Sequence, residues 1–393
     1  MPNPMPDKVG CSLETPAFIY DEALILQKLA LLAQVREDAD VRVLYSVKAL
    51  PCLPLLARMS PHVDGYSVSS LFEARLAAEA LAAAGLRKTR RLHITTPGLR
   101  AEELPELADL CDAISFNSLE QCQRLAPLAG AGPSLGIRVN PDRSFLADVR
   151  YDPCRPRSKL GVPLPDLQAA LDRTGRVRIP PLAGLHFHTV FESRSLDPLR
   201  DTLAIIEAAL GPSLSRLDWL NLGGGYLFDD TGLAAELAAI VGRLRQRYGL
   251  EVYIEPGKAI VGEAGTLLAR VIDCFEREGM AIAVLDSGVH HLPEVFEYQK
   301  PPQVAEHCPE GDFPCLLVGN SCLAGDVFGE YRFEAPLKLG DPIRFTGVGA
   351  YAMVKASRFN GHDLPALYLQ EPGGAVSLMK RYGYEDYHGY WSP

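Results

Sequence analysis

The apolar run Val41, Arg42, Val43, Leu44, Tyr45 is followed at once by Ser46, Val47 and Lys48. A run of this kind reads as a buried strand, so Lys48 stands at a strand end. Lysine is costly to bury and is most often surface charge. A partly desolvated lysine has a second use, because its lowered pKa frees the amine to attack a carbonyl and carry a cofactor as a Schiff base. Farther along, Gly223, Gly224 and Gly225 follow Asn221 and Leu222. Consecutive glycines make either a flexible turn or a backbone cradle for phosphate. Glu255 ends another apolar run and precedes Pro256 and Gly257. It is a solvated strand terminus, or a carboxylate that keeps a proton on a heterocyclic nitrogen. His188 suits stacking on a flat ring or a hydrogen-bonded core, and for His186 the core reading is preferred. Cys322 lies in a small-residue loop, Gly319–Asp326, where a thiol serves as proton donor or as buried filler. Tyr351 follows the glycine-rich turn of Gly347 and Gly349 and presents its hydroxyl to a phosphate, or is an ordinary β-domain aromatic.

The elements that would position these residues recur in a simple order. Strand-like runs at 41–45, 64–70, 91–95, 113–116, 135–139, 181–188, 219–222 and 252–255 alternate with helical patterns. Alternation of this kind predicts a parallel sheet. About eight such strands precede residue 260, which fits a (β/α)8 barrel of about 250 residues. A doubly wound sheet is the alternative. The barrel is preferred because Lys48, Ser70, Arg138, His186, His188, the three glycines and Glu255 follow strand after strand, whereas a doubly wound sheet gathers its site at one switch point. After residue 262 the pattern changes to strands with few helices, at 267–275, 282–285, 314–318 and 342–346. The expected division is a barrel over residues 22–262, and a mostly β domain over 263–393 that takes in an N-terminal strand from 1–21.

Bulk properties narrow the function. The chain has 393 residues, 47% of them hydrophobic and 22% charged, with a net charge of −10. That acidity argues against nucleic acid as a partner. No apolar run reaches the roughly 18 residues of a membrane span, and residues 1–8 lack the apolar core of a signal peptide. The nine cysteines are scattered without metal-ligand spacing. They suggest a reducing, cytoplasmic setting, no disulfide framework and no metal site.

Each of these signals is weak alone, and their order is specific. A strand-end lysine, Phe187 with His188, three glycines, Glu255 with Pro256 and Gly257, the cysteine loop and Gly349 to Tyr351 together resemble the fold-type III pyridoxal-phosphate decarboxylases, which pair an alanine-racemase-like barrel with a β domain. The resemblance spans nearly the whole chain. It implies Lys48 as the Schiff-base lysine, His188 on the pyridine ring, Gly223–Gly225 and Tyr351 at the phosphate, and Glu255 at the pyridine nitrogen. It also implies a homodimer with shared sites, in which Cys322 and Asp326 reach the partner's cofactor and substrate. An acid at Glu255 favours carbanion formation and hence decarboxylation.

The segments Ser69–Ala77, His93–Arg100, His186–Ser193 and Ser321–Tyr331 are similar to the carboxynorspermidine/carboxyspermidine decarboxylases of polyamine biosynthesis. Leu323 follows the loop cysteine where the ornithine and diaminopimelate enzymes carry an acid. Asp326, Glu192, Asp229 and Asp230 are the acids considered for the substrate's far amines. Lys258 replaces the arginine that many members carry after the Glu-Pro-Gly motif. A diaminopimelate or basic amino-acid decarboxylase is the alternative within enzymes. A non-catalytic regulatory homologue is the alternative outside them.

Overall fold

The computed structural model describes residues 13–392 apart from 173, 176, 229 and 230. Its described residues divide into two compact units, one within 26–259 and the other formed by 13–25 with 260–392. The first is built on eight parallel strands: β2 (Arg42–Ser46), β3 (Gly65–Val68), β4 (Arg91–Thr95), β5 (Ala113–Phe116), β6 (Ser134–Asn140), β7 (Gly184–His186), β8 (Trp219–Asn221) and β9 (Glu251–Ile254). Each strand pairs with the next, β9 returns to β2, and a two-residue strand at 162–163 is appended to β6. The sheet is therefore a closed barrel, and the doubly wound alternative is excluded.

Local chemistry starts the helices between the strands. Ser70 caps the helix Leu71–Ala83 by accepting the Glu73 N–H, while Glu73 reaches back to the Ser69 N–H at 2.7 Å. Ser118 caps Leu119–Leu125 by accepting the Gln121 N–H, and the Gln121 side chain accepts the Asn117 N–H. Both are reciprocal caps that satisfy otherwise orphaned donors.

The barrel interior is filled by Leu44, Ala113, Trp219 and Tyr253, with His93 against both aromatic rings. Trp219 occupies space that Gly136 and Gly184 leave open. A Cβ on Gly184 would lie 2.0 Å from the indole. Its Nε1 donates to Ser134 Oγ at 2.8 Å. The interior is thus a packed core, and chemistry is left to the strand ends.

The second unit contains β1 (Ala17–Asp21), paired antiparallel with β10 (Gly265–Arg277) and parallel with β15 (Ala366–Gln370). Strands β11 (Met280–Leu285), β12 (Phe313–Val318), β13 (Val327–Phe333), β14 (Pro342–Thr346) and β16 (Val376–Lys380), with a two-residue strand at 303–304 paired to β14, complete the mixed sheet. Its core includes Ala17, Ile19, Leu268, Ala366 and Tyr368. No helix among the described residues is long and apolar enough to cross a membrane.

Candidate active site

Within the barrel, the ends of β2, β7, β8 and β9 bring the marked residues together. Lys48 lies on a single 3-10 turn, Val47–Ala49, directly after β2. The Ser46 N–H donates to Pro256 O at 3.0 Å, which ties this turn to the end of β9. Gly257 permits the approach, since a Cβ there would sit 2.9 Å from Ala49 Cβ and 3.2 Å from Ser46 Cβ. The Lys48 side chain keeps an open surface and is nevertheless ringed by protein, as in a concave mouth. Burial lowers its pKa, and Arg138 lowers it further against the opposing pull of Glu255 and Glu73. A lowered ammonium pKa is what an attacking amine requires.

Glu255 is buried, and its oxygens are engaged. Asn221 Nδ2 donates to Glu255 Oε1 at 2.8 Å, and His186 Nε2 lies 3.4 Å from Oε2. Burial by itself would raise the carboxyl's pKa. His186, Lys48 and a hydrogen bond from Ser67 outweigh burial and hold it well below the ordinary range. Glu255 is therefore a carboxylate at neutral pH. His188 has its pKa driven far down, first by burial and then by Lys48, Arg138 and His186. Its Nδ1 accepts the Gly224 N–H at 3.2 Å, so the imidazole is neutral with its proton on Nε2.

The three glycines are wedged between the ends of β7 and β9. A Cβ on Gly223 would lie 2.3 Å from Phe187 O, on Gly224 2.2 Å from Glu255 O, and on Gly225 2.1 Å from Val190 O. Gly223 and Gly225 have φ of 70° and 92°. Asn221 Oδ1 accepts the Gly223 N–H at 2.9 Å, so one amide joins the glycine segment to Glu255. The segment is rigid by packing and is not a flexible turn.

Cys322, Asp326 and Tyr351 belong to the other unit. Cys322 is exposed, and its N–H donates to Asn360 Oδ1 at 2.9 Å. Asp326, an acid expected at the substrate, is held within its own loop. It is 3% exposed. Its Oδ1 accepts the Val289 N–H at 2.7 Å, and its Oδ2 accepts Ser321 N–H and Oγ–H at 3.0 and 2.5 Å. The carboxylate braces the loop that displays Cys322. Tyr351 has a left-handed φ of 63° and precedes the short helix Ala352–Lys355. Asp229 and Asp230 lie outside the described residues.

Comparison with known proteins places this geometry. A family described as "Pyridoxal-dependent decarboxylase, C-terminal sheet domain" matches residues 17–349. The chain belongs to the pyridoxal-dependent decarboxylases. A carboxyaminopropylagmatine decarboxylase from Synechocystis is 35% identical, the match covering 96% of this chain and 95% of the relative. A carboxynorspermidine/carboxyspermidine decarboxylase from Herminiimonas arsenicoxydans is 33% identical over 95% of this chain and 98% of the relative. Among solved structures, carboxynorspermidine decarboxylase from Campylobacter jejuni, complexed with norspermidine, superposes with a TM-score of 0.85 at 30% identity, covering 96% of this chain and all of that one.

The decarboxylase uses pyridoxal 5'-phosphate, and the barrel residues fit that group. They supply an amine of lowered pKa, an ionised buried carboxylate, a neutral imidazole and a glycine segment that any side chain would block. Sequence reasoning left out Asn221 and gave His186 a core role. Asn221 could have been noticed as the polar residue immediately before the glycines. His186 differs from any core histidine only by facing Glu255, 69 residues away in the chain, and no local pattern announces that.

Proposed function

We propose that this decarboxylase removes the α-carboxylate of carboxynorspermidine and carboxyspermidine, releasing CO2 and yielding norspermidine and spermidine. Nearly end-to-end similarity to decarboxylases named for such substrates carries the reading. Leu323 supports it, since an apolar residue beside the cysteine suits an aliphatic chain better than a second carboxylate or a short diamine. A second reading is decarboxylation of carboxyaminopropylagmatine, favoured by the Synechocystis relative. That compound carries the same kind of carboxylated aminopropyl arm and ends in a guanidinium in place of an ammonium.

Bound pyridoxal phosphate supplies an electron sink for the electron pair left when CO2 departs. In our reading the cofactor-binding part is the barrel, residues 22–262. Lys48 attaches the cofactor, Glu255 keeps its ring nitrogen protonated, and His188 lies along the ring. The Gly223–Gly225 segment and the hydroxyl of Tyr351 receive the phosphate. Cys322 returns a proton to the substrate's α-carbon, and Asp326 acts through the loop that holds Cys322. The working form is a cytoplasmic homodimer, with Cys322 of the partner subunit completing each site.

The test is CO2 release by purified, cofactor-loaded protein on carboxynorspermidine, carboxyspermidine, carboxyaminopropylagmatine, diaminopimelate and ornithine. Fast release from the first two supports the proposal. Fast release from the agmatine derivative alone selects the second reading, and release only from diaminopimelate or ornithine overturns both. Lys48→Ala is expected to abolish turnover and the cofactor's absorbance band together. Borohydride reduction of the loaded wild-type protein, followed by peptide mass analysis, should place the cofactor on Lys48. Label on another lysine would remove that assignment.

A further inference from the structure

Lys258 and Glu192 flank the glycine segment from opposite sides. Lys258 follows the Glu255, Pro256, Gly257 turn, and Gly224 packs directly on Glu255 O. Glu192 follows the end of β7, where Val190 O packs on Gly225 and the neighbouring Ser193 N–H donates to Gly225 O at 2.8 Å. The Lys258 ammonium is held by the Glu192 carboxylate in a close ion pair whose side chains are only 24% and 28% exposed. It also lies 5.8 Å from the centre of the Phe191 ring, which stacks on Tyr151 at 5.0 Å. Glu192 adopts a left-handed φ of 54°, a conformation disfavoured for a residue with a side chain. Loops tied by their backbone to the glycine segment therefore converge to present one carboxylate to one ammonium.

We propose that Glu192 is a resident counter-ion that competes with the cofactor's phosphate for Lys258, and so sets how tightly the decarboxylase retains its cofactor. This rests on the glycine segment receiving the phosphate. A phosphate near neutral pH carries close to two negative charges. An ammonium beside the cradle attracts it, and a carboxylate already on that ammonium opposes it. A lysine is a compact single charge that two anions must share, whereas the wider arginine fork can pair with each on a separate edge. The pair makes the lysine a tunable contact, and Glu192 acts as a positioning residue for it.

Cofactor affinity reads this directly. Apo-protein is titrated with pyridoxal phosphate by absorbance, and inorganic phosphate is used as a competing probe. Glu192→Gln should tighten cofactor binding roughly tenfold and strengthen phosphate competition, and Lys258→Met should weaken binding roughly tenfold. The double variant should match Lys258→Met, because Glu192 acts only through Lys258. Lys258→Arg, whose fork can serve both anions at once, should bind the cofactor at least as tightly as wild type. A Glu192→Gln protein with unchanged or weaker cofactor binding would overturn the proposal and leave the pair as a loop tie. If that protein melts early, the double variant still decides, since affinity well below that of Lys258→Met contradicts the competition. A wild-type protein that binds the cofactor but is indifferent to inorganic phosphate overturns the phosphate placement, whereas one that binds no cofactor overturns the cofactor reading itself.

Discussion

At the scale of single residues, the barrel mouth is an arrangement of charges that set one another's protonation. Lys48 loses proton affinity to burial and regains part of it from Glu255. Removing the carboxylate's charge with Glu255→Gln must therefore lower the Lys48 pKa further. The expected result is that cofactor attachment to apo-protein, followed by absorbance, has its pH midpoint at lower pH in Glu255→Gln than in wild type. A shift to higher pH would mean that the two groups are not coupled as described. The same variant should lose about 100-fold in turnover, the typical consequence of removing a fixed charge where charge develops. Its Asn221 contact survives, since Gln keeps an acceptor oxygen.

At the scale of elements, the strand ends and loops hold these groups by close packing. Gly224→Ala would drive a Cβ into Glu255 O, 2.2 Å away. Cofactor affinity is expected to fall more than tenfold, by separation of the ends of β7, β8 and β9. Gly184→Ala provides the contrast. Its Cβ meets the Trp219 ring deep in the barrel, so overpacking should cost about 1–3 kcal/mol in denaturant unfolding, with a smaller effect on cofactor affinity. In the other unit, Asp326→Asn replaces an acceptor of three donors with a group that also donates. Leaving buried donors such as the Val289 N–H poorly paired should cost about 1–3 kcal/mol. Turnover should fall through the Cys322 loop while cofactor binding to the barrel holds. Weakened binding of the substrate with normal turnover would return Asp326 to the substrate.

At the scale of the molecule, the proposed homodimer with shared sites makes a sharp expectation. Lys48→Ala and Cys322→Ala proteins, each impaired alone, should regain activity when their subunits are mixed and re-associated. One of the two sites in each mixed dimer then holds both residues. Random mixing gives about a quarter of wild-type activity, as follows from two-fold symmetry. No regain would place Lys48 and Cys322 of the same chain in one site, and a monomeric mass in solution would remove the dimer altogether.

Much of this protein was legible in its sequence because the signals are local. Strand and helix periodicity gave the alternating barrel elements, since burial on both faces demands near-continuous apolar runs. Lys48, the three glycines and Glu255 stood out because their spacing repeats a family order. The tertiary structure decided what depends on neighbours distant in the chain. Strands β13 and β16 escaped notice, because alternating and exposed strands lack a strong apolar run; β15 also went unread, although Ala366–Leu369 is buried and apolar. The parallel pairing of β1 with β15 joins segments more than 300 residues apart. His186 became a partner of Glu255, and Lys258 a partner of Glu192, only once the barrel closed. The hydrogen bonds by which Asp326 accepts the Val289 and Ser321 N–H groups likewise appear only in the folded chain. Sequence names the groups capable of chemistry; only closure of the chain determines which of them remain open to a ligand and which are consumed in holding the others.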